Sequence, residues 1–242
     1  MALSRNKIRY LSSLERKKTR DEEKLFIIEG DKIVREFLDA DREVKTLLAK
    51  PEFISGISPE KTAKIDEIIP VSFEELRKVS SLKTPHNAMA VVRMPELNFD
   101  EREVMSVLCA ALDFIQDPGN LGTIIRAAAW FGIKEIVCSE NCVDVYNTKV
   151  IQATMGAILN VNVHYAELSG FLGKANEAGV TVYGTLLEGE PVYSAPLGEK
   201  GIIVIGNESR GISDDLLPYI TSKIKIPKFT PAKSGIDSLN AG

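Results

Sequence analysis

From residue 107 to residue 226, short apolar runs alternate with segments of helical spacing, and this alternation most narrows the fold. Residues 107–114 are almost wholly apolar, as expected of a strand covered on both faces. A helix is expected at 121–131, a strand at 135–138, a helix at 147–157 and a short strand at 161–164. A helix at 167–178, strands at 180–186 and 201–206, a short helix at 214–219 and a strand at 223–226 complete the series. Strands separated by helices of this length fold as a parallel sheet with helices on both faces. Ligands of such sheets sit at the carboxyl ends of the strands. The loops after Phe114, Leu186, Gly206 and Ile226 are therefore the places to look for chemistry.

The chain before this region is organised differently. Strands are expected at 25–28, 44–49, 65–71 and 88–92. Asp31 is placed to cap a helix whose apolar residues Ile33, Val34, Phe37 and Leu38 share one face. Ser72 followed by Glu75 is a capping-box pair for a short helix through Val79. Met94 to Asp100 is polar and contains Pro95, so the domain boundary is placed at about residue 95, giving a small α/β domain at 1–95 and a second domain at 96–242.

Charge reinforces that division. Residues 1–95 carry 19 basic and 16 acidic side chains, net +3, whereas 96–242 carry 11 and 18, net −7. Seven of the basic groups fall within the first twenty residues, against a single acid, Glu15. This leader is either a solvated helix face or a footprint for a polyanion, because phosphate is neutralised by clustered charge and not by net charge. Arg16, Lys17, Lys18 and Arg20 are its densest part and the candidate RNA-binding residues. The three cysteines, Cys109, Cys138 and Cys142, and two histidines, His86 and His164, show no ligand or disulfide spacing, so no metal is expected. No apolar stretch approaches the ~20 residues of a membrane-spanning helix, and no secretory signal stands at the N-terminus. A cytoplasmic protein without a membrane partner is the expectation.

Three loops carry the polar chemistry. The first, Asp117-Pro-Gly-Asn120-Leu-Gly122-Thr-Ile-Ile-Arg126, joins a buried strand to a helix. Its glycines allow close backbone approach to a ligand. It is neither a Gly-Lys-Ser/Thr phosphate loop nor a Gly-x-Gly-x-x-Gly fingerprint. The second, Gly206-Asn207-Glu208-Ser209-Arg210-Gly211, sets a carboxylate, an amide and a guanidinium between glycines. Ser213 after it is a plausible helix cap. The third begins at Ile226-Pro227 and ends in Ser238-Leu239-Asn240.

Together and in this order, the loops resemble the SpoU branch of the SPOUT superfamily, the RNA ribose 2′-O-methyltransferases. Asn120, Gly122 and Arg126 match its first motif, Gly206, Glu208 and Gly211 its second, and Pro227 with Ser238-Leu239-Asn240 its third. The match covers 107–242, and the first domain more loosely resembles the ribosomal-protein-like RNA-binding domain found in front of many members. The resemblance implies a parallel-sheet α/β SPOUT domain with a C-terminal trefoil knot, S-adenosylmethionine as cofactor, and a homodimer. It also implies a further C-terminal helix, missing from 1–242. By the same resemblance Thr185, Leu186, Gly206, Ile226 and Leu239 line the cofactor pocket, while Asn120, Arg126, Glu208, Ser238 and Asn240 face the reacting ribose. Residues 227–238 are longer than the usual pattern, so contacts there are not carried over. Gln152 stands where many relatives have arginine and is given no role.

The activity implied is methyl transfer to a ribose 2′-hydroxyl of structured RNA, ribosomal RNA ahead of transfer RNA. Two rivals are a base-methylating enzyme of the same superfamily and a non-catalytic RNA-binding or ribosome-assembly factor on the same fold. Arg126 is often cast as the base in this family, yet a guanidinium stays charged in nearly any protein site. Arg126 is therefore expected to position and stabilise, with the base left open between Glu208 and other groups.

Overall fold

The computed structural model describes residues 3–229, and they form two compact units. One unit comprises the chain up to Glu96 together with Asp144–Leu159, and the other comprises Leu97–Val143 and the chain from Asn160 onward.

The first unit opens with two helices, α1 (Arg5–Ser13) and α2 (Lys17–Glu23). The elements β1 (Leu25–Glu29), α3 (Asp31–Asp39), β2 (Val44–Ala49), α4 (Pro51–Ser55), α5 (Pro59–Thr62), β3 (Glu67–Pro70), α6 (Phe73–Arg77) and β4 (Ala88–Arg93) follow. Its sheet runs β1-β4-β2-β3, with β4 antiparallel to both neighbours and β2 parallel to β3. Successive side chains of β1 point to opposite faces, and both faces are covered. Phe26 and Ile28 join Val34, Phe37 and Leu47 in one apolar cluster, while Leu25 and Ile27 join Leu11 and Leu14 of the leader in another. The leader is thus helical and docked through its leucines.

Ser72 and Glu75 form the expected capping box. Asp31, by contrast, does not cap α3: the N-cap is Gly30, at φ 126, and Asp31 lies inside the first turn. Gly30 supplies a backbone angle that side-chain-bearing residues rarely adopt. The Asp31 carboxylate is then free to accept from the Asn87 amide N–H (2.9 Å) and side-chain Nδ2 (2.6 Å), which holds the approach to β4.

The second unit contributes α7 (Glu101–Met105), β5 (Leu108–Leu112), α8 (Pro118–Trp130) and β6 (Glu135–Ser139). The chain then passes through α9 (Thr148–Thr154), which belongs to the first unit: Ile151 lies in the Phe26 cluster and Gln152 Nε2 donates to the Glu29 carbonyl at 2.6 Å. It returns as β7 (Asn162–Ala166), α10 (Leu168–Glu177), β8 (Val182–Pro191), β9 (Gly201–Ile205) and β10 (Ser222–Lys225). The sheet order is β10-β8-β9-β5-β6-β7 and every pairing is parallel, as the alternation requires. Phe171, Leu172 and Ala175 of α10 pack with Cys109, Ala111, Ile202 and Val204 to form its core.

The helix expected at 214–219 is only a 3-10 turn, Leu217–Tyr219, because Pro218 has no amide proton to continue an α-helical ladder. Consequently Ser213 caps no α-helix. Strand β8 also runs five residues past its expected end, with a break: Gly184 pairs opposite Lys223, but the next partner of β10 is Glu190, opposite Ile224. Residues 185–189 leave the ladder at the carboxyl edge of the sheet. Gly189 brings them back at φ 155, where a Cβ would lie 2.6 Å from the Lys223 carbonyl oxygen. The C-terminal segment that a knot would involve lies partly outside the described residues.

Candidate active site

Strands β5 and β9 are neighbours in the sheet, yet the chain leaves them in different directions, β5 towards β6 and β9 towards β10. This is a topological switch point, where loops part and leave a crevice for a ligand. The two loops concerned are those carrying the first and second sequence motifs.

After β5 the chain turns sharply at Phe114, which sits at φ 58. Helix α8 then starts earlier than its apolar spacing suggests, with Asp117 as N-cap and Pro118 in the first turn. The Asp117 carboxylate accepts from the Asn120 amide at 2.9 Å, fixing Asn120 in that turn. After β9, residues 206–211 form a tight loop closed by Asn207 N–H to Gly211 O (3.0 Å) and Gly211 N–H to Asn207 O (2.8 Å). A Cβ on Gly206 would lie 2.2 Å from the Gly211 carbonyl carbon, so only glycine lets the two strands of the loop touch. The decisive contact lies between these loops: Asn120 Nδ2 donates to Glu208 Oε1, and both side chains are half-buried.

Several residues with no role assigned from the sequence hold this junction together. Asn207 Nδ2 donates to the Phe114 carbonyl at 3.0 Å, while its Oδ1 accepts from the amides of Ser209 (2.9 Å) and Arg210 (3.1 Å). Buried Asp113 accepts from the Ser213 amide at 2.7 Å. Ser139 Oγ accepts from the Phe114 amide at 3.0 Å, and Cys142 Sγ both accepts from the Ile115 amide and donates to the Leu112 carbonyl at 3.2 Å. The neighbouring Cys138 thiol, helped by these amides, brings the Cys142 thiol down to about 7, and Cys138 itself is pushed far up. The only sequence signals were an aspartate ending an apolar strand and an asparagine between two residues already singled out.

Arg126 lies two turns into α8, exposed, and among the described residues it makes no hydrogen bond or ion pair. Among the described residues no hydrogen bond or ion pair joins it to the Asn120–Glu208 pair. Thr185 Oγ1 donates to the Val204 carbonyl at 2.9 Å, and half-buried Leu186 stands beside it in the segment that leaves the ladder. Ile226, just past β10, is 61% exposed at the same edge. Ser238, Leu239 and Asn240 lie outside the described residues.

The leader residues divide. Arg16, Lys17 and Lys18 are exposed. Arg20 is set apart from them: it is 2% exposed, and its guanidinium pairs with Asp144 and donates to the carbonyls of Leu14 (3.0 Å) and Glu15 (2.7 Å). Sequence position alone groups it with its exposed neighbours, but on α2 it faces inward and pairs with Asp144.

Residues 107–242 match the SpoU rRNA Methylase family, and residues 5–90 match the MRM3-like substrate binding domain. The chain belongs to the SpoU rRNA methylase family. As a SpoU methylase it is 30% identical over 229 residues to the 23S rRNA (guanosine(2553)-2′-O)-methyltransferase RlmP of Bacillus subtilis strain 168, covering 94% of this chain and 90% of that one. A solved structure from Porphyromonas gingivalis, assigned to the TrmH family of RNA methyltransferases, is 35% identical with a TM-score of 0.87, covering 100% of this SpoU chain and 94% of the other. The AdoMet-bound rRNA methyltransferase of Sinorhizobium meliloti is 25% identical with a TM-score of 0.82, covering 97% and 90%.

Proposed function

We propose that this chain transfers the methyl group of S-adenosylmethionine to a ribose 2′-hydroxyl of ribosomal RNA. The observation that carries the reading is the Asn120–Glu208 hydrogen bond, which joins the first two SpoU motifs at the switch point of the sheet. The relatives support the substrate, since RlmP is named for 2′-O-methylation of 23S rRNA.

The carboxyl edge of β8, β9 and β10 suits the cofactor. It offers glycine backbone at Gly206, where no side chain fits, beside the apolar side chains of Leu186 and Ile226 and a hydroxyl at Thr185. The uncharged adenosine of that cofactor suits such a surface and, carrying no phosphate, needs no phosphate loop. When bound, S-adenosylmethionine supplies a methyl group already activated by its positive sulfur.

The chain's own work is then alignment and the handling of one proton. Asn120, pinned by Asp117 through its backbone and by Glu208 through its amide, positions the nucleophile. The Arg126 guanidinium grips the adjacent phosphate in a bidentate pair and favours the negative charge developing on the hydroxyl. Glu208 orients Asn120 and is within the loops' reach to take the proton. Ser238 and Asn240 would complete the ribose-facing set, and Leu239 the cofactor pocket.

A homodimer in the cytoplasm fits this reading. Trp130 (86% exposed) and Phe131 (78% exposed) at the end of α8 form an apolar surface that a second copy would cover. The first unit would bring the RNA: replacing Arg16, Lys17 and Lys18 by glutamine is expected to weaken RNA binding and flatten its salt dependence, with cofactor affinity hardly changed. An unchanged salt slope would reduce the leader to solvated surface.

Incubating the purified chain with labelled cofactor and unmodified ribosomal RNA, then digesting to nucleosides, tests the reaction itself. Label in a 2′-O-methylnucleoside is expected. Label in a methylated base would make it a base methyltransferase, and cofactor binding without transfer would make it a binding factor.

A further inference from the structure

We propose that Arg210 is a phosphodiester-binding group on the rim of the Asn120–Glu208 site, contacting the RNA backbone beside the ribose to be methylated. The inference rests on the functional reading above and adds a residue to it. Arg210 lies two positions after Glu208 in the loop that Asn207 makes rigid by accepting from the Ser209 and Arg210 amides. Its side chain is exposed, and the guanidinium carbon stands 5.4 Å from the centroid of the Phe114 ring, at the turn that leads into α8. Phe114 is itself anchored, its amide on Ser139 and its carbonyl on Asn207. An aromatic face holds an arginine plane without consuming its donors.

Among the described residues, no hydrogen bond or ion pair uses those donors. Among the described residues no carboxylate lies within ion-pair distance of Arg210, although Asp214 and Asp215 follow closely in sequence. The surrounding charge sharpens the point. Residues 96–242 carry a net −7, so RNA approaching this half of the chain meets repulsion unless a cation stands where its backbone passes. A guanidinium held over Phe114, in the same loop as Glu208 and with N–H donors unpaired among the described residues, matches a phosphate in a bidentate pair. The competing anion is the carboxylate of the cofactor's amino-acid tail, and the two are separable by which affinity moves.

Full-length Arg210→Ala and Arg210→Lys are compared with the natural chain. The readouts are binding of protein-free ribosomal RNA across a salt series, binding of S-adenosylmethionine by calorimetry, and methyl-transfer kinetics. For Arg210→Ala, RNA affinity is expected to fall about 10-fold, KM for RNA to rise by more than kcat falls, and the salt slope to shrink by about 0.7 for a single-strand phosphate contact. Cofactor affinity stays put, which also shows that the loop is folded. Arg210→Lys keeps the slope but recovers only part of the affinity, because the fork is lost. Unchanged RNA affinity and slope would overturn the proposal, as would weakened cofactor binding with intact RNA binding, the mark of a carboxylate contact. The binding arms do not depend on turnover, so a natural chain that binds RNA through Arg210 but methylates no ribose would sink the functional reading and not this one.

Discussion

Replacing Asn120 with alanine is expected to lower kcat by about 10²-fold, the range found when one preorganised donor is removed from a reacting centre. The Nδ2 donor of Asn120 is the link between the α8 turn and Glu208, and no other side chain among the described residues bridges the pair. Its backbone amide is capped by Asp117 independently of its side chain, so α8 still starts in the same place. The variant should therefore fold normally and bind the cofactor, losing turnover and not structure. Asn120→Asp should do no better, since it sets a second carboxyl group against Glu208. A drop of less than about threefold in kcat would mean that the pair only staples two loops together. Arg126→Lys makes the companion measurement. It keeps the charge and loses the bidentate fork, and turnover near that of the natural chain would show that the proposed phosphate grip is not needed.

The second large effect is on stability. Asp144→Ala is expected to destabilise the first unit by about 3–5 kcal/mol, because removing one partner of a buried pair strands the other charge. Arg20 is 2% exposed and its side chain reaches Asp144, Leu14 and Glu15. Asp144 is the anion within this set, and it lies in the segment that carries α9 into the core around Phe26. Chemical denaturation followed by a signal from the first unit measures the change. Adding Arg20→Met to Asp144→Ala should restore part of the loss by removing the stranded charge, but not all of it, because the carbonyls of Leu14 and Glu15 then lose their donor. A loss below about 1 kcal/mol for Asp144→Ala would mean that water enters and screens the arginine.

Arg20 also shows where reading the chain as a string reaches its limit. Charge density in the first twenty residues singled out Arg16, Lys17, Lys18 and Arg20 together, but which of them turns inward depends on a partner 124 residues away. The alternation of strands and helices from residue 107 was legible because a parallel sheet buried on both faces demands apolar runs of that length. Asn120 and Glu208 were legible because glycines and polar groups concentrated after apolar strands have few other uses. Asp113, Ser139 and Cys142 were not, since each acts by holding backbone amides and carbonyls, a role with no spacing signature. Asp31 looked like a cap because residue type marks caps, whereas the observed cap depends on the backbone angle of Gly30. The break in β8 at residues 185–189 arises from pairing with β10, a strand that the local sequence of β8 does not encode.

The first motif and the second meet through Asn120 and Glu208, while Ser238, Leu239 and Asn240 of the third fall outside the described residues. The most direct measurement of the central claim is a map of ribose methylation across ribosomal RNA from cells with and without this protein. Loss of a 2′-O-methyl group at one position is expected, restored by the natural chain and not by Asn120→Ala. Retention of every ribose methyl group, or loss of a base methyl group in its place, would contradict the account.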